Sequence, residues 1–404
     1  MKKKHSLLVL IFILAIMLAG CRQNKEDEKN EQTTYNEQKQ EDNFGFENIN
    51  ISNNISFDTQ KVNGSKLMKY NDGYLFPSAV CWNETNAEYN IVYLDMNNNQ
   101  WTIMCNNPTC SHMSANCISY IDIYAMFSMC SDGKQIYFLK TEQQSSQTEN
   151  IAKEYLYKIN METFEQEKIT EVMTYVNGNS HSMVPALVYG GYYYSAQEIY
   201  SDTGEFSRIL YRCRLEKDAV PEFIYGMPLQ PEQMLQYVVT DIEAQENYVY
   251  YTLEYSQGIQ VVRLDLKTGE TLVKNLPAWS IDIKDDKIYL VTEKELYEYS
   301  NDFEESRKIC SLDKNVGKIL AMKDYLLFYI TEDEGKRICL YNYNGEKKEE
   351  FYIEDAELNL WNNNEDFLFF TKPDEMGNYQ FFKVDIQKLQ NGVPELEEIT
   401  KDMG

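Results

Sequence analysis

Histidine is scarce in this chain: three in 404 residues, His5, His112 and His181. Chemistry that relies on an imidazole base therefore has little material. There is no Gly-x-Ser-x-Gly turn, no His-Glu-x-x-His helix and no glycine-rich phosphate loop, which removes the sequence signatures of serine hydrolases, zincins and P-loop enzymes. Cys-x-x-Cys is missing, and with it the usual redox pair and covalent haem attachment. An Asp-x-Asp-x-Asp-Gly calcium loop is missing too. Positive charge is in deficit, with 38 Lys and Arg against 64 Asp and Glu and a net charge of -26. Such a surface argues against nucleic acid or anionic lipid as a partner. No apolar run reaches the roughly 20 residues that cross a bilayer as a helix.

A shorter apolar run is present at the start. Lys2-Lys3-Lys4 precedes Leu7 to Leu18, and Leu18-Ala19-Gly20-Cys21 follows, the layout of a secretory signal peptide. Leu18 to Cys21 resembles the bacterial lipobox, in which the chain is cut before the cysteine and the thiol carries lipid. That resemblance implies lipidation at Cys21, a leader over residues 1–20, and an address on the outer face of the bacterial cytoplasmic membrane. Stable attachment there needs more than one acyl chain. Residues 21–50, rich in Glu, Asp, Lys, Asn and Gln, lack the apolar content for a core and are expected to form a disordered acidic linker. Its average reach as a coil is roughly 30 Å.

From residue 51 to 404 a single domain is expected, because one pattern recurs. Aromatic and β-branched runs such as Gly73-Tyr74-Leu75-Phe76, Gly191-Tyr192-Tyr193-Tyr194 and Tyr248-Val249-Tyr250-Tyr251 are each answered by a second run. The second runs often end in an apolar-Asp/Asn-apolar unit, as in Val262-Arg263-Leu264-Asp265-Leu266, and then a polar turn. Short aromatic runs bounded by Gly, Asn and Asp are strands. A recurring small antiparallel sheet closes radially into an all-β propeller of four-stranded antiparallel blades. Seven copies favour seven blades, with six or eight as alternatives because the first three repeats are long. No long amphipathic helix is evident. The repeats resemble degenerate bacterial propellers of the TolB-like and YWTD-like types, nearest at Phe328-Tyr329-Ile330-Thr331-Glu332-Asp333 and Phe369-Phe370-Thr371-Lys372-Pro373-Asp374. Lipobox and propeller together resemble surface lipoproteins of gut clostridia, a resemblance that implies fold and address but no activity.

Besides Cys21 there are eight cysteines. Cys105, Cys110, His112 and Cys117 put four soft ligands into one turn-rich loop, a form similar to a recurrent segment of those lipoproteins. The loop is expected to join the first blade to the second at one end of the propeller. Three thiolates and an imidazole make a complete set for structural Zn2+, although the spacing is not that of a common zinc finger. A disulfide brace, with Cys81 or Cys130 as an extra partner, is weighed ahead of metal, since thiols outside the cell oxidise. Cys213, Cys310 and Cys339 read as small buried hydrophobes.

Catalytic candidates are thin. His181, between Ser180 and Ser182, reads as a solvated loop residue before a general base. The Asp-box of sialidase propellers is present only as fragments at Ser131-Asp132-Gly133 and Ser201-Asp202-Thr203-Gly204. Trp82, Trp101, Trp279 and Trp361 read mostly as packing between blades. No catalytic residue is nominated. The expected role is a monomeric, non-enzymatic binding module for a protein or glycan at the cell surface. The alternative is a carbohydrate-active enzyme, a glycoside hydrolase or lyase, with its site at the propeller mouth.

Overall fold

The computed structural model describes residues 62–63 and 67–401 apart from short stretches, the longest being 177–183, 201–205 and 230–237. The leader, Cys21, the linker and His181 lie outside the described residues. The described strands form antiparallel meanders of four, at 68–103, 130–176, 187–229, 238–276, 280–311, 318–353 and 359–401. This is the all-β propeller architecture of four-stranded sheets. Among the described residues only Ile123–Ser128 and Ile386–Gln390 are α-helical.

Tyrosine-rich runs become strands here because both faces of each sheet are covered. Tyr250 and Tyr251 are neighbours, and both are fully buried. Tyr250 packs with Ile283, Ile288 and Leu290 of the fifth meander, whereas Tyr251 packs with Tyr194 and Leu210 of the third. Alternate side chains of a strand point to opposite faces, so one run serves two interfaces. The same split recurs at Tyr193 and Tyr194 and at Phe369 and Phe370. Tyrosine hydroxyls also tie meander to meander. Tyr251 donates to the Tyr211 carbonyl at 3.1 Å, and Tyr189 donates to the Glu246 carbonyl at 2.8 Å.

The first and last meanders are joined as well. Phe76, Val92, Leu94 and Trp101 pack against Phe369, Phe381 and Ile399. The Trp361 ring lies 4.6 Å from that of Phe76. At the outer edge, Gln100 and Trp101 pair in parallel with Thr400 and Lys401, and the Asn99 carboxamide donates to the Glu398 carbonyl at 2.7 Å. Trp101 and Trp361 thus serve as packing residues, but Trp279 is 58% exposed.

The Asp/Asn of the repeating unit closes the last hairpin of a meander. Asp265 Oδ1 accepts from the Lys267 and Thr268 amides at 2.7 and 3.1 Å, and Gly269 takes φ 77° to turn the chain back. Asp95, Asn160 and Asn342 do the same for their own turns. A short side chain that bonds its own backbone two residues on favours a turn over continued strand.

Phe76→Ala is expected to lower stability by about 3–5 kcal/mol, as for a fully buried ring. Asp265→Ala should cost about 1 kcal/mol, the net value of an ordinary hydrogen bond. Denaturant midpoints measure both, and equal effects would contradict the ring-closing role of Phe76.

Candidate metal centre

The third strand of the first meander, Ala87–Asp95, positions the cysteine loop. Gln100–Ile103 pairs with its residues 92–95, and Tyr120–Ile121 pairs with Asn90 and Tyr89. Between them, Ile91 serves both flanks. Its carbonyl accepts from the Met104 amide at 2.9 Å, and its amide donates to the Ser119 carbonyl at 2.8 Å. The outer strand is therefore one course interrupted by an excursion, residues 105–118, whose neck closes on a single residue.

This corrects the placement expected from sequence. The loop does not link the first meander to the second; the helix Ile123–Ser128 makes that link, leading into Cys130–Ser131. The excursion leaves the outer strand after Gln100–Ile103 and rejoins it at Tyr120–Ile121, opposite the middle of the strand Ala87–Asp95. A two-residue strand such as Tyr120–Ile121 is too short to register as alternation in the sequence.

Cys105 and Cys117 flank the neck, which is why they meet. Inside the excursion, Asn107 Oδ1 accepts from the Thr109 amide at 3.0 Å and its hydroxyl at 2.9 Å. The Cys110 amide donates to the Asn107 carbonyl at 3.1 Å, and His112 takes φ 60°. These turns bring Cys110 and His112 back, and the ligand atoms of Cys105, Cys110, His112 and Cys117 lie within 4.8 Å of one another. A tetrahedron with metal–sulfur bonds of about 2.3 Å has edges of about 3.8 Å. His112 Nδ1 stands 3.5 Å from Cys117 Sγ.

The surroundings suit thiolates. The His112 amide donates to Cys110 Sγ at 3.4 Å. The amides of Asn107 and Ser119 lower the Cys105 and Cys117 thiols. Cys117 Sγ also lies 3.0 Å from Ser119 Oγ, and that hydroxyl donates to Asn90 Oδ1 at 2.9 Å, so the sulfur is roped to the sheet. Burial pushes the Cys105 thiol up to about 11, with neighbouring sulfurs adding to the rise against the Asn107 amide. Burial acts the same way on Cys117, but hydrogen bonds from Ser119, His112 and Cys110 outweigh it and bring that thiol down to about 7. The cluster thus favours one thiolate and resists a second, the imbalance a bound cation would relieve.

Among the described residues the cysteines are free thiols. Cys130 is not part of the cluster; it is buried between the second and third meanders with Tyr193 and Tyr211. Cys213 and Cys339 are buried and Cys310 is half-buried, as small hydrophobes. The side chain of Cys81 lies outside the described residues. Ser119 and Asn90 escaped the sequence reading, since nothing in a serine or an asparagine alone marks it as a support for a sulfur 2 or 27 positions away.

A second recess lies at the ring axis, a cavity of about 360 Å³ bordered by Lys69, Cys130, Val188, Asp282, Met322 and Glu365. Its Asp282 carboxylate is engaged by the Ile283 and Ala321 amides at 2.9 and 2.6 Å, which makes it a tie between meanders.

No protein-family model and no curated protein sequence matches the chain. Solved structures do. An acylaminoacyl peptidase in complex with Z-Gly-Gly-Phe-chloromethyl ketone aligns with a TM-score of 0.50 at 12% identity, over 85% of this chain and 54% of that one. The acylaminoacyl peptidase of Pyrococcus horikoshii gives 0.49 at 13% identity, over 86% and 54%. The β-propeller domain of the trilobed protease from Pyrococcus furiosus gives 0.44 at 14%, over 85% and 98%. The chain spans about half the length of the two peptidases. At these identities the likeness concerns the fold alone.

Asn90→Ala, which leaves the Ser119 hydroxyl without its acceptor in a buried position, should lower stability by about 1–3 kcal/mol. Thermal unfolding reads this directly, and an unchanged midpoint would show that the neck does not depend on the Asn90–Ser119 bond.

Proposed function

We propose that Cys105, Cys110, His112 and Cys117 hold one structural Zn2+ that locks the excursion shut at its neck. The observation that carries this is the convergence of three thiols and an imidazole within 4.8 Å, with the His112 amide donating to Cys110 Sγ. Four protein ligands leave no open position for a substrate, so the ion would cross-link the loop rather than do chemistry. Around it we place a closed ring of seven blades, acting as a monomeric, non-enzymatic binding module for a protein or glycan. We further propose export and lipid anchoring through Cys21 at the outer face of the bacterial cytoplasmic membrane. Asp282, one of the two carboxylates bordering the axial cavity, is occupied with backbone amides, which favours binding over catalysis at that residue.

Zinc measured on anaerobically purified Cys21→Ser chain should approach about one ion per chain, as for a closed structural site. Cys110→Ser should abolish it. Ser119→Ala should weaken zinc binding about 10–100-fold, the usual effect of losing a partner behind a ligand. Zinc-free protein from all three would refute the site.

Because Cys105 must release its proton to bind, zinc affinity should rise at least about tenfold per pH unit between about pH 6 and pH 8. Competition with a chelator across that range tests the sign, and a flat profile would contradict thiolate ligation. Membrane fractionation tests the anchor: wild-type chain should sediment with membranes and Cys21→Ser chain should not.

A further inference from the structure

The strand Val62–Asn63 lies outside the first meander. It pairs antiparallel with Val238–Gln245, the innermost strand of the fourth, with Val62 opposite Ala244 and Asn63 opposite Glu243. The chain then begins the first meander at Met68. The lining of the axial cavity agrees with this path. Its residues come from the first, second, third, fifth, sixth and seventh meanders, and none comes from the fourth.

Strand length gives a reason for the choice of partner. The innermost strands of the other meanders run 2 to 5 residues, whereas Val238–Gln245 has 8. A long inner edge leaves a row of backbone donors and acceptors unpaired, which an added extended segment satisfies. The direction is fixed by the register. Each innermost strand runs from the connection between meanders towards its first hairpin, at Glu246 and Asn247 in the fourth. Antiparallel to it, Val62 to Asn63 runs from the hairpin end towards the connection end.

We infer that Val62–Asn63 enters the central channel from its hairpin end and is held there as an added innermost strand of the fourth meander.

The test uses the full chain with Cys21→Ser, carrying Val62→Cys and Ala244→Cys. Directly opposed residues of an antiparallel pair have Cβ atoms about 4.5–5.5 Å apart, close enough for a disulfide to form with slight adjustment. Peptide mapping after mild oxidation should find the 62–244 link. A control pair across the cavity, Val62→Cys with Ala321→Cys, should give none. Independently, replacing Val62 and Asn63 with proline should speed amide exchange within Val238–Gln245 by about tenfold or more, through loss of the covering strand. Absence of the 62–244 link together with unchanged exchange would overturn the threading.

Discussion

Burial on both faces of every sheet is the constraint on which this structure depends. A four-stranded meander whose Tyr250 and Tyr251 must both leave water cannot satisfy them alone. Each face needs a neighbour, each neighbour has a second face, and the sequence of needs ends only when the last meander meets the first. The packing of Phe76, Val92 and Trp101 against Phe369 and Phe381 supplies that meeting. Apolar burial is worth roughly 25 cal/mol per Å², and a ring interrupted at any interface would expose two apolar faces together. Tyrosine outnumbers phenylalanine, 32 to 18, and the bonds from Tyr251 to Tyr211 and from Tyr189 to Glu246 show one use of the extra hydroxyl. In these two residues it reaches the backbone of the adjacent meander.

The same economy of backbone bonding makes the cysteine excursion feasible. A strand edge tolerates an insertion if its ladder resumes without loss, and Ile91 does this by bonding to Met104 on one side and Ser119 on the other. Closing the neck fixes Cys105 and Cys117 side by side, so only Cys110 and His112 must be carried round by turns. The sheet thus does most of the ordering that a four-ligand centre requires, and the Asn90–Ser119 pair extends that ordering to the sulfur itself.

Much of the fold was legible because its repeats carry local chemistry. The aromatic runs, the apolar-Asp-apolar units and the turns after them each have a mechanical role, as Asp265 and Asn160 show. Alternation of inside and outside was a poorer guide: in the central strands it separates one interface from the next, so Tyr193 and Tyr194 are equally buried. The donor set at 105–117 was visible as spacing, yet its position was misread, since the handover at Ile91 depends on strand pairing between residues far apart in sequence. The pairing of Val62 with Ala244 is of the same non-local kind. Trp279 was read with the other tryptophans as packing, and nothing in Pro277-Ala278-Trp279-Ser280 marks it as exposed.

The proposed binding role and the proposed metal brace both start from the convergence of Cys105, Cys110, His112 and Cys117 on one edge loop, and the coordination of an ion there tests the proposal most directly. X-ray absorption at the zinc edge of the purified chain should show three sulfurs at about 2.3 Å and one nitrogen at about 2.0–2.1 Å. A shell dominated by oxygen, or a chain that carries no zinc and has disulfides at Cys105 or Cys117, would contradict the account.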